Sequence, residues 1–345
     1  MTQQIFQQIS KSIKPIFSRL KPYLRYFILG GTLLFVAKAF KDHWQEVAAI
    51  RIDGAGTVIL AIALLVTLFS HVWAGWVWLW ILREFNQSVD TIWGIRVFLK
   101  TNIGKYLPGN IWHFWGRIQA TRDAGISTEI ATLSVLLEPL LMAAAALLIA
   151  LMGSPPGNRG LQVLSLVVIL MAVHPLILNT LVKYVGKMKG VGSKIEVKPK
   201  IEHLEDNFSL SIVDDSLNPD LIENQKLSFT DYPKINRYPL VPLLGEIGFL
   251  FLRGSGFLLT LMALTNINFS EVTYLFSAFS FAYVLGLVVP GAPGGLGVFE
   301  ATAIALLGNR FSPGIIVSSV ALYRFISILA EAIGAGLAWL DERRY

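Results

Sequence analysis

The 345-residue chain is 54% hydrophobic and only 15% charged, with a mean hydropathy of +0.58, whereas a soluble domain carries roughly 25% charged residues. That surplus of apolar side chains excludes an ordinary water-facing surface. The net charge of +6 does not point to nucleic acid, because most basic residues lie in short loops and tails beside apolar runs, and the absence of cysteine excludes disulfides, thiol nucleophiles and thiolate metal sites.

A polar stretch, 1–22, opens the chain with Lys11, Lys14, Arg19 and Lys21. The first apolar run, 23–40, is followed by Lys41 and Asp42 rather than a small-residue cleavage site, which predicts a retained anchor. Further runs at 57–82, 126–152, 161–182, 240–265 and 313–339 approach or exceed the roughly 20 residues needed to cross hydrocarbon. Two less uniform stretches, 91–117 and 271–308, are interrupted near the middle by Pro and Gly. Broken backbone at membrane depth survives only where protein or water satisfies it, so each is predicted as a re-entrant hairpin. The expected fold is an all-α polytopic membrane protein with about six full spans plus two broken hairpins.

Charge sets the expected orientation. The basic residues of 1–25 favour a cytoplasmic N-terminus, and the path then leaves segment 183–239, with nine Lys and Arg, in the cytoplasm as well. That segment also carries nine Asp and Glu and lacks an apolar period, which predicts a polar linker with room for a cytosolic partner. It separates a first membrane half, 23–182, broken near 104–110, from a second, 240–345, broken near 286–295. The C-terminus, with Arg343 and Arg344, is expected inside.

The two halves share a pattern. GKYLPG from Gly104 to Gly109 matches GLVVPG from Gly286 to Gly291, SVLLEP from Ser134 matches SVALYR from Ser319, and AGW at 74–76 matches SGF at 255–257. The intervals agree: Gly75 to Pro108 is 33 residues and Gly256 to Pro290 is 34. Because the expected path enters the two broken stretches from opposite sides, the halves are predicted to be inverted repeats, an arrangement common in transporters.

Ionisable residues recur at related places: Lys105, Arg117 and Glu138 in the first half, Glu300 and Arg324 in the second. An uncompensated charge at a helix centre costs about 2.5–3.5 kcal/mol on insertion scales, so these side chains should face the interior, as a substrate pathway or as structural ion pairs. Glu246 with Arg253 and Arg324 with Glu331 are spaced seven residues apart, which puts each pair on one helix face as a candidate lock. The helix restarting after each break would present a positive dipole end to an anion, and Lys105 and Arg117 incline the first break the same way.

The segments KTNIGKYLPGNIWHFWGR, VVPGAPGGLGVFE and SVALYRF resemble the membrane region of lysylphosphatidylglycerol synthases, the flippase-like domain family. The likeness covers most of 25–340, and the insert at 183–239 is longer than the family leads one to expect. Members that make aminoacylated lipid carry a soluble acyltransferase domain after the membrane region, and this chain, read to Tyr345, is expected to act without one. The resemblance therefore implies lipid translocation in a bacterial plasma membrane without lipid synthesis. It is carried by Lys105, Pro108, Gly109, Arg117, Pro290, Pro293, Gly294, Gly295, Glu300 and Arg324.

Other signals are weaker. The five histidines show no metal spacing, and His71 reads as an interior side chain satisfied by a neighbouring helix. Trp73, Trp76 and Trp80, with Trp78 nearby, read as an interfacial belt. PGAPGGLG lacks the Lys-Ser/Thr of a phosphate-binding loop. The expected function is a non-enzymatic translocator of an anionic or zwitterionic membrane lipid, with no cofactor, no metal and no nucleic-acid partner. Homo-oligomerisation stays open. The alternatives are a lipid-modifying enzyme using Glu138 or Glu300 as a general base, and a non-transporting partner of another membrane complex.

Overall fold

The computed structural model describes residues 34, 37–38, 41–107, 110–153, 159–180, 237–289 and 292–343. The tail 1–22, nearly all of the run 23–40, most of the linker 183–239, Arg344 and the break residues Pro108, Gly109, Pro290 and Gly291 lie outside them. Among the described residues the chain is helical, with no strand.

The first half contains α1 (Trp44–Ala49), α2 (Gly54–Glu84), α3 (Thr91–Asn102), α4 (Trp112–Asp123), α5 (Thr128–Gly153) and α6 (Arg159–Ala172). The second contains α7 (Leu240–Met262), α8 (Phe269–Val288), α9 (Val298–Leu307) and α10 (Pro313–Glu342). Five of these, α2, α5, α7, α8 and α10, are long and apolar enough to cross a membrane. Large side chains such as Leu65, Phe69, Leu161, Leu244 and Phe325 are exposed on the outer surface. The protein is a helical membrane protein, and lipid is the solvent that tolerates that surface.

The helix starts follow local chemistry. Asp53 accepts from the Gly56 amide at 2.7 Å to open α2, and Asp90 accepts from the Trp93 amide at 2.7 Å to open α3. Asn268 and Glu271 form a capping box on α8, with Glu271 accepting from the Asn268 amide at 3.0 Å. Pro313 sits in the first turn of α10, where the Gly314 amide donates to Glu46 of α1 at 3.0 Å.

The expected span at 161–182 is not one continuous helix. α6 ends at Ala172, and a separate helical stretch begins at Pro175, whose ring and missing N–H interrupt the hydrogen-bond ladder. The two broken stretches also differ. α3 and α4 have 12 residues each, about 18 Å apiece and too short to cross alone. α8 runs 20 residues without interruption, through Gly286, and only α9, with 10 residues, is of half length.

The main seam joins α2 to α7. Small residues allow the close crossing: a Cβ on Gly256 would lie 2.4 Å from Thr67 Oγ1, and one on Gly245 would lie 2.7 Å from Val77. Two of the four tryptophans of α2, Trp73 and Trp80, pack at this seam, and a third, Trp78, packs against α3. Trp73 donates to the Gly245 carbonyl at 2.8 Å and meets Trp80 edge-on, while Trp78 is fully buried and stacks on Trp93. Trp76 is the exposed member.

Around the seam, α5 packs on α7 and α8, and α10 packs on α2 and α3. The contacts made by α5 with the second half are thus exchanged for those made by α10 with the first. Ala143–Ala146, almost wholly enclosed, give α5 the slim face that lets α8 approach, and Ser277 donates to the Ala150 carbonyl across that interface at 2.5 Å.

Candidate functional site: a charged cavity where the two breaks meet

Each break is a 3₁₀ turn, Ile103–Tyr106 in the first half and Pro293–Gly295 in the second, and the two turns touch. The contact is built on Gly294, whose φ of +59° is a left-handed conformation open to glycine. A Cβ there would lie 3.0 Å from the Tyr106 ring. Gly104 serves a related purpose, since a Cβ on it would lie 2.8 Å from the His113 amide nitrogen of α4. Gly286 lies inside α8, four residues before Pro290, and its backbone is the surface against which Gly295 folds back.

Beside this contact lies a cavity of about 320 Å³, lined by Lys105, Asn110, His113, Arg253, Tyr323 and Arg324 among others, with apolar wall from Phe114, Leu287 and Phe299. A smaller cavity of about 90 Å³ shares Lys105, His113 and Arg253 with it and reaches Arg117, Glu138 and His71. The five charged residues singled out in sequence therefore converge here, with Glu300 standing behind Arg324 rather than in the lining.

Arg117 and Glu138 form a buried ion pair between α4 and α5. The Arg117 guanidinium lies 4.7 Å from the Phe98 ring centre and within reach of Trp78 and Phe114, an aromatic cage that favours a cation. Arg324 and Glu300 pair between α10 and α9. Glu300 also accepts from the Gly297 amide at 2.6 Å, and Arg324 donates to the Gly294 carbonyl at 3.1 Å. This second pair is thus a staple that holds the Gly294 carbonyl and the Gly297 amide of its break. Among the described residues the first break shows no such cap: Ile111, the residue before α4, makes no side-chain capping bond, and Asn110 just ahead of it has φ +52°.

The seven-residue locks do not form as pairs. Seven residues rise about 10 Å along a helix, too far for a direct bond, and other helices recruit the charges. Glu331 of α10 accepts from Lys105 of the first break at 2.6 Å and lies 3.3 Å from His71 of α2. Arg253 of α7 meets His71 at 3.0 Å, lies over the Tyr323 ring, and its backbone carbonyl accepts from the Tyr323 hydroxyl at 3.1 Å. His71 is therefore an interior side chain bonded to neighbouring helices, as its sequence position suggests. Glu246 is fully buried, and neither carboxyl oxygen has a hydrogen-bond partner among the described residues.

The cluster of Lys105, His71, Arg253 and Glu331 ties the two halves together beside the cavity. Reading the sequence missed this arrangement. The seven-residue spacing singles out Arg253 and Glu331 but assigns each a partner on its own helix, whereas their actual partners, His71 and Lys105, come from the first half. No group of histidines and carboxylates suited to a metal ion occurs among the described residues. No family model and no curated protein matches the chain.

Proposed function

We propose that the protein is a membrane lipid translocator, related to the flippase-like region of lysylphosphatidylglycerol synthases and built from two inverted repeats. The observation that carries this reading is the meeting of the two interrupted segments, one from each half, at the wall of an ionisable cavity enclosed by apolar helices. Broken helices facing each other across such a cavity are how membrane transporters place a polar site at depth. The exchanged packing of α5 and α10, and the charge pairs joining α4 to α5 and α9 to α10, support the repeat. In this scheme α3 and α4 form one hairpin and α8 and α9 the other, with the longer α8 tilted. The termini and the linker 183–239 are cytoplasmic, in a bacterial plasma membrane. The headgroup would pass through the cavity while the acyl chains stay in lipid.

The carboxylates Glu138 and Glu300 each hold an arginine, which favours this reading over one in which either acts as a general base. The test is reconstitution: protein in vesicles should move labelled phospholipid between leaflets faster than protein-free vesicles do. A folded protein that accelerates no lipid across a broad panel would end the proposal.

A further inference from the structure

The charges around the larger cavity are not balanced in the way a zwitterionic headgroup requires. Three cations, Lys105, Arg253 and Arg324, line it, and no carboxylate does so among the described residues. The compensating carboxylates stand behind them, Glu331 bonded to Lys105 and Glu300 to Arg324. Among the described residues Arg253 is bonded to no carboxylate and its Nε has no hydrogen-bond partner, while its guanidinium meets the His71 ring and the residue is only 6% exposed. Glu246, on the same helix about two turns away, makes no bond to it and does not line the cavity. A buried charge that must share its counter-charge is poorly compensated: among the described residues Glu331 already serves Lys105 and lies against His71, so the three lining cations face two bonded carboxylates, Glu331 and Glu300. His113 Nδ1 and Asn110 Oδ1, on residues that also line it, are buried without hydrogen-bond partners among the described residues.

We propose that this cavity binds a phosphate oxyanion of a lipid headgroup, with Arg253 as the principal ligand and Lys105 and Arg324 beside it, and that it rejects headgroups carrying an ammonium group. The inference rests on the translocator reading and narrows its substrate class. Lys105 spends one of its three donors on Glu331, and Arg324 has donors beyond those engaged by Glu300 and Gly294. Guanidinium groups suit phosphate because they offer paired donors in a fixed fork. The volume of about 320 Å³ stands at the small end of ligand sites, roughly 300–1,000 Å³, which fits a headgroup and leaves the acyl chains outside. An aminoacylated or choline headgroup would bring its cation against three others. Glu138, the carboxylate lining the smaller cavity, is already held by Arg117.

The experiment compares probes on the purified protein and in vesicles. Water-soluble short-chain phosphatidic acid, phosphatidylglycerol, phosphatidylcholine and lysyl-phosphatidylglycerol, and inorganic phosphate, are titrated by thermal shift and calorimetry. The two anionic lipids should bind about tenfold or more tighter than the two ammonium-bearing ones, as expected for loss of a charge-assisted contact. Arg253→Gln should remove that preference. Arg253→Lys, which keeps the charge and protects folding, should retain the preference at about tenfold weaker affinity. Equal or tighter binding of the ammonium-bearing lipids, or unchanged selectivity in folded Arg253→Gln, overturns the proposal. If vesicles show translocation without preference for anionic lipid, the anion site fails and the translocator reading stands. If anionic lipid binds selectively but none moves, the translocator reading fails instead. Inorganic phosphate binding as tightly as the anionic lipids would assign the site to a free anion and overturn the lipid source.

Discussion

Removing Glu300 tests whether the charge pair of the second half is structural. In Glu300→Ala the Arg324 guanidinium loses its buried counter-ion, and the Gly297 amide loses its acceptor. Stranding one member of a buried pair costs about 3–5 kcal/mol. The lower end applies because the Arg324 side chain is 17% exposed and reaches the cavity. The lost cap adds about 1 kcal/mol, so a total near 4 kcal/mol is expected. Equilibrium unfolding in mixed micelles, followed by tryptophan fluorescence, reads this directly. Arg324→Ala should cost somewhat less, since Glu300 keeps the Gly297 amide, and the double variant should fall short of the sum by roughly 2 kcal/mol. If each single variant unfolds within about 0.5 kcal/mol of wild type, the pair does not hold the break, and the staple described above is wrong.

Three further outcomes follow from the same geometry. Gly294→Ala meets the left-handed penalty of roughly 1–2 kcal/mol and presses on Tyr106, so lipid movement in vesicles should slow while the protein still assembles. Gly256→Ala should destabilise by about 1–3 kcal/mol, because its Cβ meets Thr67 Oγ1 at 2.4 Å. Thr67→Ala, removing a hydroxyl without a partner among the described residues, should restore much of that loss in thermal unfolding. Glu331→Ala leaves Lys105 and Arg253 facing each other without a carboxylate. It should therefore cost more, about 3–5 kcal/mol, than Lys105→Ala, after which Glu331 keeps His71. Paired unfolding curves would show the order.

What the sequence determined by itself follows from length and local chemistry. Apolar runs of bilayer length mark α2, α5, α7 and α10, because a helix satisfies its own backbone polar groups in lipid, whereas α8 lies in the stretch 271–308 expected as a broken hairpin and runs 20 residues without interruption. The PG pairs, which lie outside the described residues, mark where helices are expected to stop: α8 ends at Val288, just ahead of its pair, whereas α3 ends at Asn102 and passes into a 3₁₀ turn. The charged set was also legible, since interior ionisable residues in such runs are few. Pro175 carries a readable signal as well, but the hydropathy that marks the run 161–182 is blind to a missing N–H.

Only the tertiary structure decided which charges pair. Spacing places Glu246 and Arg253 on one face but does not say which helix packs there, and Glu331 turned out to serve Lys105 and His71 rather than Arg324. The same holds for Trp73 and Trp80 of α2, drawn into the seam because Gly245 on α7 leaves room for them. The poorly compensated charge of Arg253 belongs to neither half alone. It exists because α2, α7, α10 and the first break bring three cations to one cavity and leave the carboxylates outside it, an arrangement set by long-range packing that no local pattern encodes.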